Sequence, residues 1–74
     1  MDDFHEKMLT QIGLNILYYR KECGYTQQQV AEMISYSKNH FQQIETAKTT
    51  PSVIALLDIA RALDIPPSKL FEER

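Results

Sequence analysis

Residues 26–45 carry two short helical patterns on either side of a tight break, and this spacing leaves few ways to fold. Apolar side chains fall at Val30, Ala31 and Ile34, then again at Phe41 and Ile44. These steps are those of helices, not the alternation of strands. Ser35, Tyr36 and Ser37 between them form too short a link for anything but a turn. Helices so joined cross steeply, and the second then presents its polar side away from the core. That side holds Lys38, Asn39, Gln42 and Gln43, residue types able to hydrogen-bond base edges in a DNA major groove.

The flanks also read as helices. Leu9, Ile12, Ile16 and Leu17 predict a first helix that starts within residues 4–8 and runs to Cys23, with residues 1–7 a short N-terminal arm or helix extension. Gly24 suits a left-handed C-terminal cap, whereas Gly13 weakens the middle of this helix by about 1 kcal/mol relative to Ala. Thr26, with Gln29 three residues on, makes a capping box for a second helix ending near Ile34. Ser37 caps a third helix that extends through Glu45, and residues 46–51 form a polar loop in which Pro51 keeps Thr50 extended. Ser52 caps a fourth helix with the apolar stripe Val53, Leu56, Leu57, Ala60 and Leu63. After Pro66 and Pro67, a last short helix over residues 68–72 folds Leu70 and Phe71 back on the core. No segment alternates with period two, so the expectation is an all-α fold of five helices in a single domain spanning residues 1–74.

Composition narrows the function. Eight basic and ten acidic side chains give a net charge of −2, whereas DNA-binding domains are usually basic. Phosphate attraction is local, however, being screened over about 10 Å. Acidic groups crowd the termini (Asp2, Asp3, Glu6, Glu72, Glu73), and residues 26–50 set Lys38 and Lys48 against Glu32 and Glu45. A single copy is expected to bind DNA weakly, with dimerisation doubling the phosphate contacts. The acidic, polar N-terminus and the lack of a long apolar stretch point to a soluble cytoplasmic protein with no membrane partner. The lone Cys23 reads as a small apolar residue near a helix end, since it cannot form an internal disulfide. No metal-ligand cluster, nucleophile with a base, or phosphate loop is visible, so no cofactor, small-molecule ligand or catalysis is expected. His5 is expected to be exposed; His40 falls towards the inner half of its helix, as a partly buried spacer or a phosphate contact.

In order and spacing, these pieces resemble the helix-turn-helix family of phage repressor and Cro proteins, the Xre type. The resemblance covers residues 9–71 and rests on Ile12-x3-Ile16-x3-Arg20, Gly24-Tyr25-Thr26-Gln27, Val30-Ala31, Ser37-x3-Phe41-x2-Ile44-Glu45, Pro51-Ser52, Leu56-Leu57-x-Ile59-Ala60-x-Ala62-Leu63 and Leu70-Phe71. It implies a compact lambda-repressor-like fold in which a structural ion pair, Arg20 with Glu45, ties the first helix to the third. It also implies that Lys38, Asn39 and Gln43 reach bases, that Gln27 touches phosphate and braces the third helix, and that Thr46 and Lys48 touch the backbone. Tyr36, Ser37, His40 and Gln42 join the backbone or bracing set. Helical geometry agrees: at 100° per residue, positions 38, 39, 42, 43 and 46 share one half of the wheel and 41 and 44 oppose them. Two positions depart from the family, Ser35 and Ala47, where similar proteins commonly carry Gly and where a left-handed backbone is expected.

The expectation is therefore a sequence-specific DNA-binding transcriptional repressor, a homodimer on a palindromic operator, with recognition helices over residues 37–45 in successive major grooves about 34 Å apart. Its dimer surface is expected on the fourth helix, the fifth helix and the tail, with Ile54, Ile65, Leu70 and Phe71. Two other readings share the fold: an antitoxin or restriction-system controller, and a protein-interaction module with weak DNA affinity, which the acidic net charge favours. An enzyme has the least support.

Overall fold

A computed structural model describes residues 3–73. Among these, helix α1 spans Asp3–Cys23, α2 Gln27–Met33, α3 Lys38–Glu45 and α4 Val53–Ala62, followed by a 3₁₀ turn at Pro67–Phe71. No strand occurs among the described residues. The all-helical expectation holds with four α-helices instead of five. The last element is five residues long with Pro67 in its first turn, so there is little room for i→i+4 bonds, and the tighter i→i+3 winding results. Of the expected N-terminal arm, residues 3–7 belong to α1, which starts before the expected window; Met1 and Asp2 lie outside the described residues.

Side-chain caps start three helices. Thr26 Oγ1 accepts from the Gln29 N–H (3.0 Å) while Gln29 Oε1 accepts from the Thr26 N–H (2.8 Å), completing the box at α2. The hydroxyls of Ser37 and Ser52 accept from the N–H groups of His40 and Ala55 (3.0 Å each). The four α-helices also end alike. A residue with positive φ (Gly24, Ser35, Ala47, Asp64) follows each last turn. The next residue's N–H reaches back five positions: Tyr25 to Arg20, Tyr36 to Ala31, Lys48 to Gln43 and Ile65 to Ala60. This is the Schellman arrangement, which satisfies the last carbonyls of each helix. Three of the four left-handed positions are not glycine, and each carries a strain of roughly 1–2 kcal/mol.

The core joins Ile12 and Ile16 of α1, Val30, Ala31 and Ile34 around α2, Phe41 and Ile44 of α3, Leu56, Ile59, Ala60 and Leu63 around α4, and Leu70 of the 3₁₀ turn. Leu9 and Leu17 are only half-buried. The α4 stripe differs from expectation. Val53 is 71% and Ile54 65% exposed and Leu57 is exposed too, whereas Ala55 and Ile59 are buried. This helix is apolar on more than one side, so periodicity alone could not orient it. Cys23 is exposed instead of packed as an apolar residue, with its thiol 3.5 Å from the Leu63 carbonyl. Phe71 is half-exposed and Leu70 fully buried, so of this pair only Leu70 folds into the core.

Two α1 residues fix the packing. A Cβ built on Gly13 would lie 2.3 Å from the Glu45 carbonyl oxygen and 3.3 Å from that of Ile44. The glycine that looked like a weak point in α1 is what lets it approach the end of α3. Two residues on, Asn15 is fully buried. Its amide donates to the carbonyls of Leu70 (2.9 Å) and Glu72 (2.8 Å), and its oxygen accepts from Gln11 (3.0 Å). A single side chain thus holds the C-terminal segment on α1.

Gly13→Ala should destabilise the fold by about 1–3 kcal/mol despite the better helix propensity of Ala, because backbone must move to admit the methyl. Urea denaturation followed by circular dichroism measures it, and a stabilised variant would contradict the close approach. Ala47→Gly should act oppositely, raising stability by roughly 0.5–1 kcal/mol as the strain is relieved against added unfolded-chain entropy.

Candidate nucleic-acid interface

Glu45, the last residue of α3, is nearly buried, as is Arg20 of α1. The guanidinium grips the carboxylate with two bonds, Nε to Oε2 at 2.7 Å and the second nitrogen to Oε1 at 3.0 Å. Its remaining terminal nitrogen donates to the Tyr25 carbonyl at 2.9 Å, bonding the link between α1 and α2. Gln27, the first residue of α2, donates its amide to Glu45 Oε1 at 2.8 Å. One carboxylate thus gathers three helices, and every buried polar side-chain atom has a partner among the described residues. Gln27 thus braces α3 through one of its two amide donors.

The hub orients α3. Its inner face buries Phe41, Ile44 and Glu45, and its outer face exposes Lys38, Asn39, His40, Gln42 and Gln43. The three residues expected to reach bases, Lys38, Asn39 and Gln43, therefore share the free surface of one short helix. The link to α2 bends through Ser35 at φ 61°, and Ser37 is exposed. His40 is exposed as well, so it is not a partly buried spacer. Its ring lies on that of Tyr36, with centroids 4.6 Å apart and planes 11° from parallel. At the far end, Thr46 turns its hydroxyl back onto the Gln42 carbonyl (2.8 Å), and Lys48 stays exposed beyond the left-handed Ala47.

Electrostatics are less adverse here than the residue count of −2 implies. The Glu45 charge is matched by Arg20, whereas Glu32, bonded at 3.0 Å to the neutral Gln28 amide, keeps its charge. One basic residue not singled out from the sequence belongs with this face. Lys21, in the last turn of α1, lines an open groove together with Thr26, Gln27, Gln28 and Lys38. Its signal was its place one residue after Arg20, beside the start of α2, which only the packing of α1 on α3 makes informative. Among the described residues no His, Cys, Asp or Glu cluster could hold a metal ion, and no helix is long and apolar enough to cross a membrane.

A helix pair joined by a short turn inside a bundle of helices, with the second helix exposing a polar face, is the architecture of a known class, and residues 16–70 match the helix-turn-helix family. The chain belongs to that family, in its Xre type. The family comprises DNA-binding transcription regulators. One relative is the HTH-type transcriptional regulator SinR of Bacillus subtilis, 34% identical over 64 residues that make up 85% of this chain and 58% of the relative. The chain thus spans somewhat more than half the length of that protein. A second is the uncharacterised HTH-type transcriptional regulator y4dJ of Sinorhizobium fredii, 32% identical over 73% of this chain and 70% of that protein. Among solved structures, the restriction-modification controller protein C.AhdI of Aeromonas hydrophila superposes with a TM-score of 0.82 at 27% identity, covering 85% of this chain and 96% of that one.

Glu45→Gln keeps the shape of the hub but leaves the Arg20 guanidinium buried without its counter-charge, which should cost about 3–5 kcal/mol. Gln27→Ala removes one bond to a charged acceptor and should cost about 1.5–3 kcal/mol. Chemical denaturation of both checks the order. A loss below about 1 kcal/mol for Glu45→Gln would show that the carboxylate is not the organising group.

Proposed function

We propose that the chain is a sequence-specific transcriptional repressor that binds a palindromic operator in double-stranded DNA as a homodimer. The observation that carries this reading is the outer face of α3, where Lys38, Asn39 and Gln43 are exposed together on a helix fixed from behind by Glu45. Lys38 suits the O6 and N7 acceptors of guanine, and Asn39 and Gln43 suit the N6 and N7 pair of adenine. Ser37, Gln42, Thr46 and Lys48 flank this face towards the phosphates, and Lys21 adds a further positive charge beside α2. Such contacts set affinity and register without reading sequence.

The modest charge makes two copies necessary, and an exposed apolar surface is available to join them. Val53, Ile54 and Leu57 of α4 and Phe71 beyond it are open to solvent. Leu70 drops out of the expected dimer surface because it is core, and Ile65 packs against the core. A second reading, the control of a restriction-modification system, is favoured by the likeness to C.AhdI; the genes adjacent to this one separate the two.

Selection of binding sites from random DNA supplies the test. A preferred, two-fold symmetric site is the expected outcome, and enrichment of no sequence would reject the reading. On the selected site, Gln43→Ala should relax preference at one base pair by about 1–3 kcal/mol. Lys48→Ala should weaken all sequences alike and reduce the slope of log affinity against log salt by about 1 per copy. Ile54→Asp should move the protein from dimer to monomer in sedimentation while its circular dichroism stays unchanged, since this side chain is 65% exposed.

A further inference from the structure

Two N-terminal caps in this chain differ in one respect. At α2 the third helical residue, Gln29, folds its side chain back to the cap and completes the box. At α3 the equivalent residue is His40. Its N–H donates to the Ser37 hydroxyl, but its ring goes to Tyr36 instead, lying face to face with it. Tyr36 is also the residue whose N–H closes the end of α2, on the Ala31 carbonyl at 2.8 Å, and whose ring packs against the core.

We infer that His40 is a positioning residue: by stacking on Tyr36 it joins the end of α2 to the first turn of α3 and sets the direction of Lys38 and Asn39. The inference rests on the reading of α3 as the DNA-contacting helix. The stack spans the four-residue step from 36 to 40, and Lys38 and Asn39 lie inside that step. The turn beside it bends through Ser35 in a left-handed state that a residue with a Cβ holds only where its surroundings impose it. Neither Ser37 nor the first bond of α3, Phe41 N–H to the Ser37 carbonyl at 3.0 Å, reaches back across that bend. The ring pair does. Side chains held in this way before binding lose less freedom on contact, which favours the matching sequence over others.

The test uses His40→Ala, His40→Phe and wild type. In the free proteins, hydrogen exchange at the Phe41 amide should quicken roughly two- to tenfold in His40→Ala, the span expected for one aromatic pair, and return towards wild type in His40→Phe. The Ile59 amide, in the core of α4, should be unchanged in both. On DNA, the ratio of affinity for the selected site over random sequence should fall by a similar factor in His40→Ala and recover in His40→Phe, with the salt slope constant throughout. Unchanged exchange in His40→Ala would overturn the inference. So would a His40→Phe protein as impaired as His40→Ala with its salt slope lowered by about 1, because the imidazole would then be a phosphate contact. If wild type selects no DNA sequence, the DNA reading fails and so does the role assigned to His40 in it, while the exchange result still decides whether the stack braces the turn.

Discussion

The carboxylate of Glu45 is where the structure comes together. It takes two bonds from Arg20 on α1 and one from Gln27 on α2, and its own backbone carbonyl lies against Gly13 of α1. Charge complementarity fixes the side-chain end of the residue and steric contact fixes the main-chain end, so α3 can neither slide nor roll against α1. A buried ion pair of this kind adds little net stability over an apolar replacement of equal shape. Its value is geometric, since three fixed directions of hydrogen bonding accept fewer arrangements than a greasy contact would.

Around that hub the chain repeats one local solution. Each α-helix closes with a left-handed residue followed by a residue that reaches back into the last turn, and at three of the four ends that following residue (Tyr25, Tyr36, Ile65) also packs against the core. The turn between α2 and α3 is one instance of this cap, not a special element. Its course follows from the backbone state of Ser35 together with the anchoring of Tyr36, and the family's characteristic helix pair emerges from ordinary helix-ending chemistry.

Much of this was legible in the sequence because it is local. Capping hydroxyls and the glycine at 24 depend on residues within a few positions of one another, whereas the left-handed need at Ser35 and Ala47 came from the resemblance, since similar proteins carry Gly there. Asp64, equally left-handed, was missed because Asp signals such a bend only weakly. What remained hidden depends on distant partners. Gly13 reads as a flaw until Glu45 is known to sit against it, and Asn15 reads as a poor helix former until the carbonyls of residues 70 and 72 appear beside it. The rotation of α4 could not be inferred, since apolar side chains on several sides leave no unique inward face. The expected fifth helix failed on length, its five residues, Pro67 included, being too few for an α-helical turn to propagate. At the candidate interface, the outward residues of α3 followed from the wheel, whereas the Gln27–Glu45 bond and the Tyr36–His40 stack depend on how the helices pack.

The side chains on the outer face of α3 have a consequence for how such a chain changes over generations. Lys38, Asn39 and Gln43 point into solvent, while the residues that hold α3 in place point the other way. Exchanges among polar residues at those three positions leave the hub, the caps and the core untouched, and surface changes of this sort usually alter stability by less than about 0.5 kcal/mol. On the proposed reading of α3, target preference and folding are therefore carried by different side chains. A duplicated copy can acquire a new target while passing only through sequences that fold as well as the first, and a position such as Gly13, where one hydrogen fits and a methyl does not, is barred from the same drift.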